Sequence, residues 1–230
     1  MSTSGTYDFS MDIDEVIQEA LEMIGGEQTS GHDPKSARRS INLLFNDWQN
    51  RGITLWSVDT TAVTLTTSVT TLALTSATLD VLNAVHSRTT NNVPSDISLD
   101  RISMQEYLQL PNKSQTGRTT QYAVRSANAG NTPTVYLWPI PDNSTDVIKF
   151  EQVKYIQDVD KSASQTPDIS RRFYPALTAG VAYQMGLKKD GLDPNKLALI
   201  ESEYDGRLTR AMEEDRERVS MHFTPKLNLI

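Results

Sequence analysis

The side chains in this sequence that could carry chemistry are three histidines, His32, His86 and His222, and a scatter of carboxylates. No HExxH and no His-x-His brings two histidines together locally, so a metal centre would have to be assembled entirely by the fold. Cysteine is absent, which removes thiolate nucleophiles, zinc–sulfur sites and any disulfide framework. There is no G-x-S-x-G elbow, no GxxxxGK[ST] and no GxGxxG, and GRTTQ at Gly117 is too short and polar for a phosphate loop. Asp96, Asp100 and Glu106 lie in a loop-rich stretch. They could be drafted as the carboxyl pair of a glycosidase, which stands roughly 5–9.5 Å apart. In turns and on a short helix, however, such groups more often cap backbone or sit in solvent, and that reading is preferred. The expectation is a protein without catalytic residues, metal or cofactor.

The totals point the same way. A chain of 230 residues can bury one good core, or a main core with a satellite. Hydrophobic content is 37%, low for an isolated globule, which fits either a domain with a large polar surface or one that finishes its burial against neighbours. The net charge of −7 disfavours binding to nucleic-acid phosphates or an anionic membrane. The pairs Arg38-Arg39, Arg171-Arg172 and Lys188-Lys189 read as solvated helix faces or C-terminal charge complements rather than a nucleic-acid stripe. No run approaches the roughly 18 apolar residues of a membrane helix, and MSTSGTYDFS lacks signal-peptide blocks. A soluble product of a reducing cytoplasm is expected.

Elements able to position side chains follow from the periodicity. Ile13, Val16, Ile17, Ala20, Leu21 and Ile24 form a helical stripe that starts at Asp12 with Glu15 and stops at Gly25-Gly26. Asp33-Pro34 starts a second helix, whose buried face is Ala37, Ile41, Leu44, Phe45 and Trp48 and which Gly52 ends. The period then changes to alternation, with strands expected near Val63, Leu72, Val81–Val85, Gln121, Val135 and Val147, and one short helix at SMQEYLQLP. VYLW, stopped by Pro139 and Pro141, reads as an edge strand. Helices return with Phe173, Leu177, Val181 and Met185 on one face, and again with Leu197, Ile200, Tyr204, Leu208 and Ala211 as a narrow seam. That seam is expected to pack on the N-terminal helix pair, and Gly186 to loosen the helix before it.

The predicted fold class is therefore α+β. A bundle of N- and C-terminal helices carries an inserted antiparallel β-rich domain and an extended C-terminal tail. The expected segments are 1–53 for the first helix pair, 54–157 for the β-rich insertion, 158–220 for the closing helices and 221–230 for the tail. Trp48, Gly52 and Trp56 are expected to form a structural corner. Gly52 turns the chain out of the helix, and the two indoles clamp its exit direction.

Several stretches resemble one known family. ARRSINLLFNDWQNRGITLW, with EALEMIGG before it, looks like the helix-to-strand signature of the head-to-tail adaptors of short-tailed bacteriophages. These are the tail tubular protein A, or packaged-DNA-stabilisation, proteins. RISMQEYLQLPNKSQTGRTTQYAV, VYLWPIPDNSTDVIKF and YPALTAGVAYQMG resemble its later segments in the same order. The resemblance covers roughly residues 9–220. It implies a virion structural protein at the head–tail junction, assembled in the bacterial host cytoplasm. It further implies a homo-oligomeric ring, usually of twelve copies, between the portal protein and the tail nozzle protein. Double-stranded DNA would pass through without sequence-specific binding; no membrane or cofactor is involved.

A net acidic chain suits such a conduit, because like charge keeps the polyanion from sticking. Phe223, Leu227 and Leu229 share one side of an extended segment, with Ile230 beyond. They are expected to dock on the portal by strand addition. The alternatives are a tail-associated peptidoglycan hydrolase using paired carboxylates, and a sugar- or receptor-binding module on the β region.

Overall fold

A computed structural model describes residues 5, 9–25, 32–53, 57–90, 93–126, 132–160 and 165–215. The helices along it are α1 (Ile13–Met23), α2 (His32–Asn50), α3 (Met104–Gln109), α4 (Tyr174–Gly186) and α5 (Pro194–Glu214). The chain divides into two compact units, residues 1–47 with 158–230, and residues 48–157.

The first unit is helical. Asp12 accepts from the backbone N–H of Glu15 at 2.8 Å, and the Glu15 carboxylate accepts from that of Asp12 at 2.9 Å. This reciprocal cap satisfies two of the donors a helix start leaves open. The stripe of α1 is buried as its spacing requires, from Ile13 to Leu21. Arg38 on α2 pairs with Asp14 on α1 at 2.9 Å. Helix α4 begins after a 3-10 turn at Arg171–Phe173 and is buried on nearly every side. Small residues allow this: Ala176, Ala179, Gly180 and Ala182 let neighbouring helices come close.

Helix α5 starts on Asp193, whose carboxylate accepts from Asn195 N–H at 3.0 Å, with Pro194 in the first position. It buries Ile200, Tyr204, Leu208 and Ala211. The seam packs on α4, and Leu44 of α2, from the expected N-terminal pair, stands beside the same contact at Gly180. The reason is the glycines. A Cβ at Gly180 would stand 2.8 Å from Tyr204 Cε2, and one at Gly186 would stand 2.9 Å from Leu197 Cδ1. Gly186 therefore serves close packing and does not loosen the helix. Asn42 ties α2 to the returning chain, donating to Val159 O at 3.2 Å and accepting from Val159 N at 2.7 Å.

The second unit is a pair of facing sheets. One holds β1 (Val58–Thr64), β10 (Val147–Lys154), β3 (Thr78–Thr90) and β4 (Val93–Ser98) in that spatial order, all antiparallel. The other runs β2 (Thr71–Ala73), β8 (Thr134–Trp138), β7 (Gln121–Arg125) and β5 (Asp100–Arg101), with β5 parallel to β7. A short ladder joins β6 (Thr116–Gly117) to β9 (Ile140–Pro141).

Leu65, Val81, Tyr122, Val135, Leu137, Ile148 and Phe150 fill the core of this unit. Register pairs Asn83 with Glu151 and Val81 with Gln152, leaving Leu82 as the extra residue of a β-bulge. The bulge turns both Val81 and Ala84 inward and leaves Leu82 at 45% exposure. Strand β8 is interior, between β2 and β7, which corrects the edge-strand expectation. Its five residues contain no proline, and Pro139 follows only after the ladder to β7 ends at Trp138.

Candidate functional site

Among the described residues, His86 is a sequence-predicted candidate that the fold brings into a buried titratable cluster. It sits on β3 with its side chain fully buried. Nδ1 lies 3.1 Å from the Thr119 carbonyl and Nε2 lies 2.8 Å from Asp146 Oδ2. Both partners carry acceptor oxygens, so the ring is held in place through both of its nitrogens. Arg88, two residues along the strand, donates to the same Asp146 oxygen from Nε at 2.8 Å, and its Nη2 lies 2.7 Å from that oxygen as an ion pair. It also pairs with Asp142. Burial pushes the Asp146 carboxyl up, but the hydrogen bonds from Arg88 and His86 outweigh it and hold the group below the usual carboxylate range. The same contact with Asp146 raises the Arg88 guanidinium.

A His–Asp pair is two-thirds of a hydrolytic triad, so its surroundings decide its role. The hydroxyl of Thr119, whose carbonyl meets the ring, is buried and donates to Pro139 O at 2.9 Å. The imidazole and the carboxylate both have no accessible surface. A substrate could not reach them, and the cluster joins β3, the 117–120 loop and the turn before β10 as a structural lock. Arg118 adds to it from outside, donating to the carbonyls of Ser95 at 2.5 Å and His86 at 3.3 Å.

The drafted carboxylates are spread over β4, β5 and α3. Asp96 hydrogen-bonds Ser87 and pairs with Lys149 at 3.1 Å, and these partners lower its pKa. Glu106 caps α3, accepting from Ser103 N–H at 2.7 Å, which lowers its pKa as well. A general acid needs the opposite shift, toward neutrality. Asp100 lies on β5, its backbone N–H donating to Thr120 O at 2.9 Å. Among the described residues no group of three metal-ligating side chains could hold an ion, and no helix is long and apolar enough to cross a membrane.

Contact surfaces remain. Trp48 is fully buried at the end of α2, and Gly52 takes φ +77°, the left-handed conformation that ends a helix without a Cβ penalty. Trp56, His222 and the tail residues Phe223, Leu227, Leu229 and Ile230 lie outside the described residues. Lys188 reaches back to α2, donating to Ser40 Oγ at 2.6 Å; burial and the nearby Arg39 lower its pKa. In the helical unit, two adjoining concavities of about 550 and 470 Å³ share Pro175 and Arg207. Arg171, Arg172 and Arg210 stand around them.

The sequence offered no local sign of the His86 cluster, since Asp146 is 60 residues from His86. The groove was equally hidden, because its arginines come from opposite ends of α4 and α5.

Two helices, a two-sheet β unit and two closing helices follow the element order of the resemblance. No curated protein is similar enough to the chain to count as a match. The family model for SU10 adaptor protein matches residues 11–226, nearly the whole chain. The chain belongs to the SU10 adaptor protein family, structural ring-forming subunits of the phage head-to-tail junction.

Proposed function

We propose that twelve copies of this subunit close into a ring between the portal protein and the tail nozzle protein, with duplex DNA passing through its centre. In this reading, residues 1–53 and 158–220 supply the ring body and residues 54–157 supply the contact with tail components. Residues 221–230 reach the portal, with Phe223, Leu227, Leu229 and Ile230 as anchors. Trp48, Gly52 and Trp56 set the direction in which the chain leaves α2.

The observation that carries the reading is the continuity of the family match, which runs without interruption from α1 through both units to residue 226. The net charge of −7 supports a passage that does not retain DNA. The alternating apolar residues of the tail support attachment by an extended segment. Deletion of residues 222–230 tests it: the truncated protein should fold and lose attachment to portal-bearing heads. Normal attachment by the truncated protein would overturn the docking role of the tail.

A further inference from the structure

We infer that neighbouring subunits of the ring meet along α5, the arginine flank of one copy receiving the carboxylate flank of the next. The inference deepens the ring reading above and rests on it for the presence of a neighbour.

A ring needs two different, complementary faces on every subunit, because one heterologous contact repeats by rotation until it closes. Helix α5 supplies both. Its buried seam on α4 centres on Tyr204. At 3.6 residues per turn, Glu201 and Asp205 fall about 60° and 100° to one side of that tyrosine. Arg207 and Arg210 fall about 60° and 120° to the other. Contacts with α4 fix the two sides. Tyr183 donates to Glu201 at 3.1 Å, and Arg207 donates to Pro175 O at 3.2 Å. The hydrogen bond to Glu201 above all, with the nearby charge of Asp205, raises the Tyr183 phenol.

The flanks carry opposite charge that the subunit itself does not neutralise. Among the described residues Glu201 accepts only from Tyr183, and Asp205 makes no ion pair. On the other side Arg207 is held by Glu203 at 2.6 Å, and Arg172 stands 3.6 Å from Asp215. Arg171 and Arg210 are left. Arg210 donates to Gly206 O at 3.1 Å but has no carboxylate partner among the described residues, and Arg171 makes neither kind of contact there. Glu19 shares the concavity of Arg171 without pairing with it.

Shape and apolar surface agree with the signs. The arginine flank is hollowed by the two adjoining concavities, whereas the carboxylate flank is the rounded side of a helix pair. Phe9 lies in the hollow edge-on to Tyr174, ring centroids 6.4 Å apart, yet is 64% exposed. Beside the carboxylates, Leu187 follows one turn after Tyr183, to whose carbonyl its N–H donates, and is 55% exposed. Met212, farther along the same flank as Asp205, is exposed as well. Apolar side chains of this kind supply burial at a contact, and the charges around them fix partner and register.

Charge reversal in full-length chains tests the pairing, with rings on portal-bearing heads counted by electron microscopy. Arg171→Glu with Arg210→Glu turns the arginine flank acidic. Glu201→Arg with Asp205→Arg turns the carboxylate flank basic. Either variant alone should lose ring occupancy by at least about tenfold, since like charge would face like charge at every contact. An equimolar mixture should restore rings in which the two variants alternate, because each contact then joins unlike flanks. The chain carrying all four substitutions should assemble by itself, and circular dichroism of every variant should match the parent. The milder pair Arg171→Gln with Arg210→Gln should lower occupancy less and weaken its dependence on salt. Parent-like occupancy from either reversed variant would overturn the inference. So would folded variants that neither the mixture nor the four substitutions together rescue, or a glutamine pair with unchanged occupancy and salt dependence. Parent chains that attach to heads without closing a ring would instead bring down the ring reading, and this contact with it.

Discussion

Gly180 on α4 and Tyr204 on α5 meet without room for a methyl group: a Cβ on the glycine would come within 2.8 Å of the tyrosine ring. Leu44 Cδ1, from α2, would stand 3.1 Å from the same carbon. Three helices converge on one missing side chain. The ring of a fully packed tyrosine has little freedom to retreat, so the close approach holds the bundle's geometry.

Gly180→Ala should therefore destabilise the helical unit by about 1–3 kcal/mol, the cost of overpacking, despite the roughly 0.5–1 kcal/mol that alanine normally adds inside a helix. Gly206→Ala is the control. Its Cβ would meet only the flexible end of Arg210, at 4.0 Å, so it should be neutral or stabilising. Urea denaturation of both variants checks the pair of signs.

The buried cluster predicts an acid-sensitive β unit. Asp146 has its pKa lowered in the folded protein, so it contributes stability that is present above its unfolded value, about 3.9. That contribution is lost as pH falls through the lower folded value. Asp146→Asn should cost about 3–5 kcal/mol near neutral pH, because the Arg88 guanidinium would keep a buried partner unable to balance its charge. The variant should also show a flatter acid limb in thermal melts than the parent.

Glu106 is spent on a helix cap, and its loss should be felt in stability alone. Ser103→Ala, which removes the other half of the capping box, should cost about 1 kcal/mol. Purified protein should give no clearing on a peptidoglycan gel. Clearing that vanishes with Glu106→Gln would restore the hydrolase alternative.

Where local chemistry decides an element, the sequence was legible. The Asp12–Glu15 cap, the α1 stripe, Pro194 after Asp193 and the short helix at Met104 all follow from spacing that acts within one or two turns. The misreadings came from long-range packing. Strand β8 looked like an edge because prolines follow it, yet proline disrupts only the ladder it sits in. The seam of α5 was readable, but its contact with α4 was not, since helical spacing states which face is buried and not against what. Leu82 gave no sign of its bulge, because Val81 and Ala84 reach the core only through register with β10. His86 looked isolated for the same reason: its partners arrive from the 117–120 loop and from the turn before β10.

Electron microscopy of purified virions carrying a label on this chain should show the label in a twelve-copy ring at the head–tail vertex, between portal and tail nozzle. A finished particle whose collar lacks the label, or whose label lies along the capsid or at the tail tip, would contradict it.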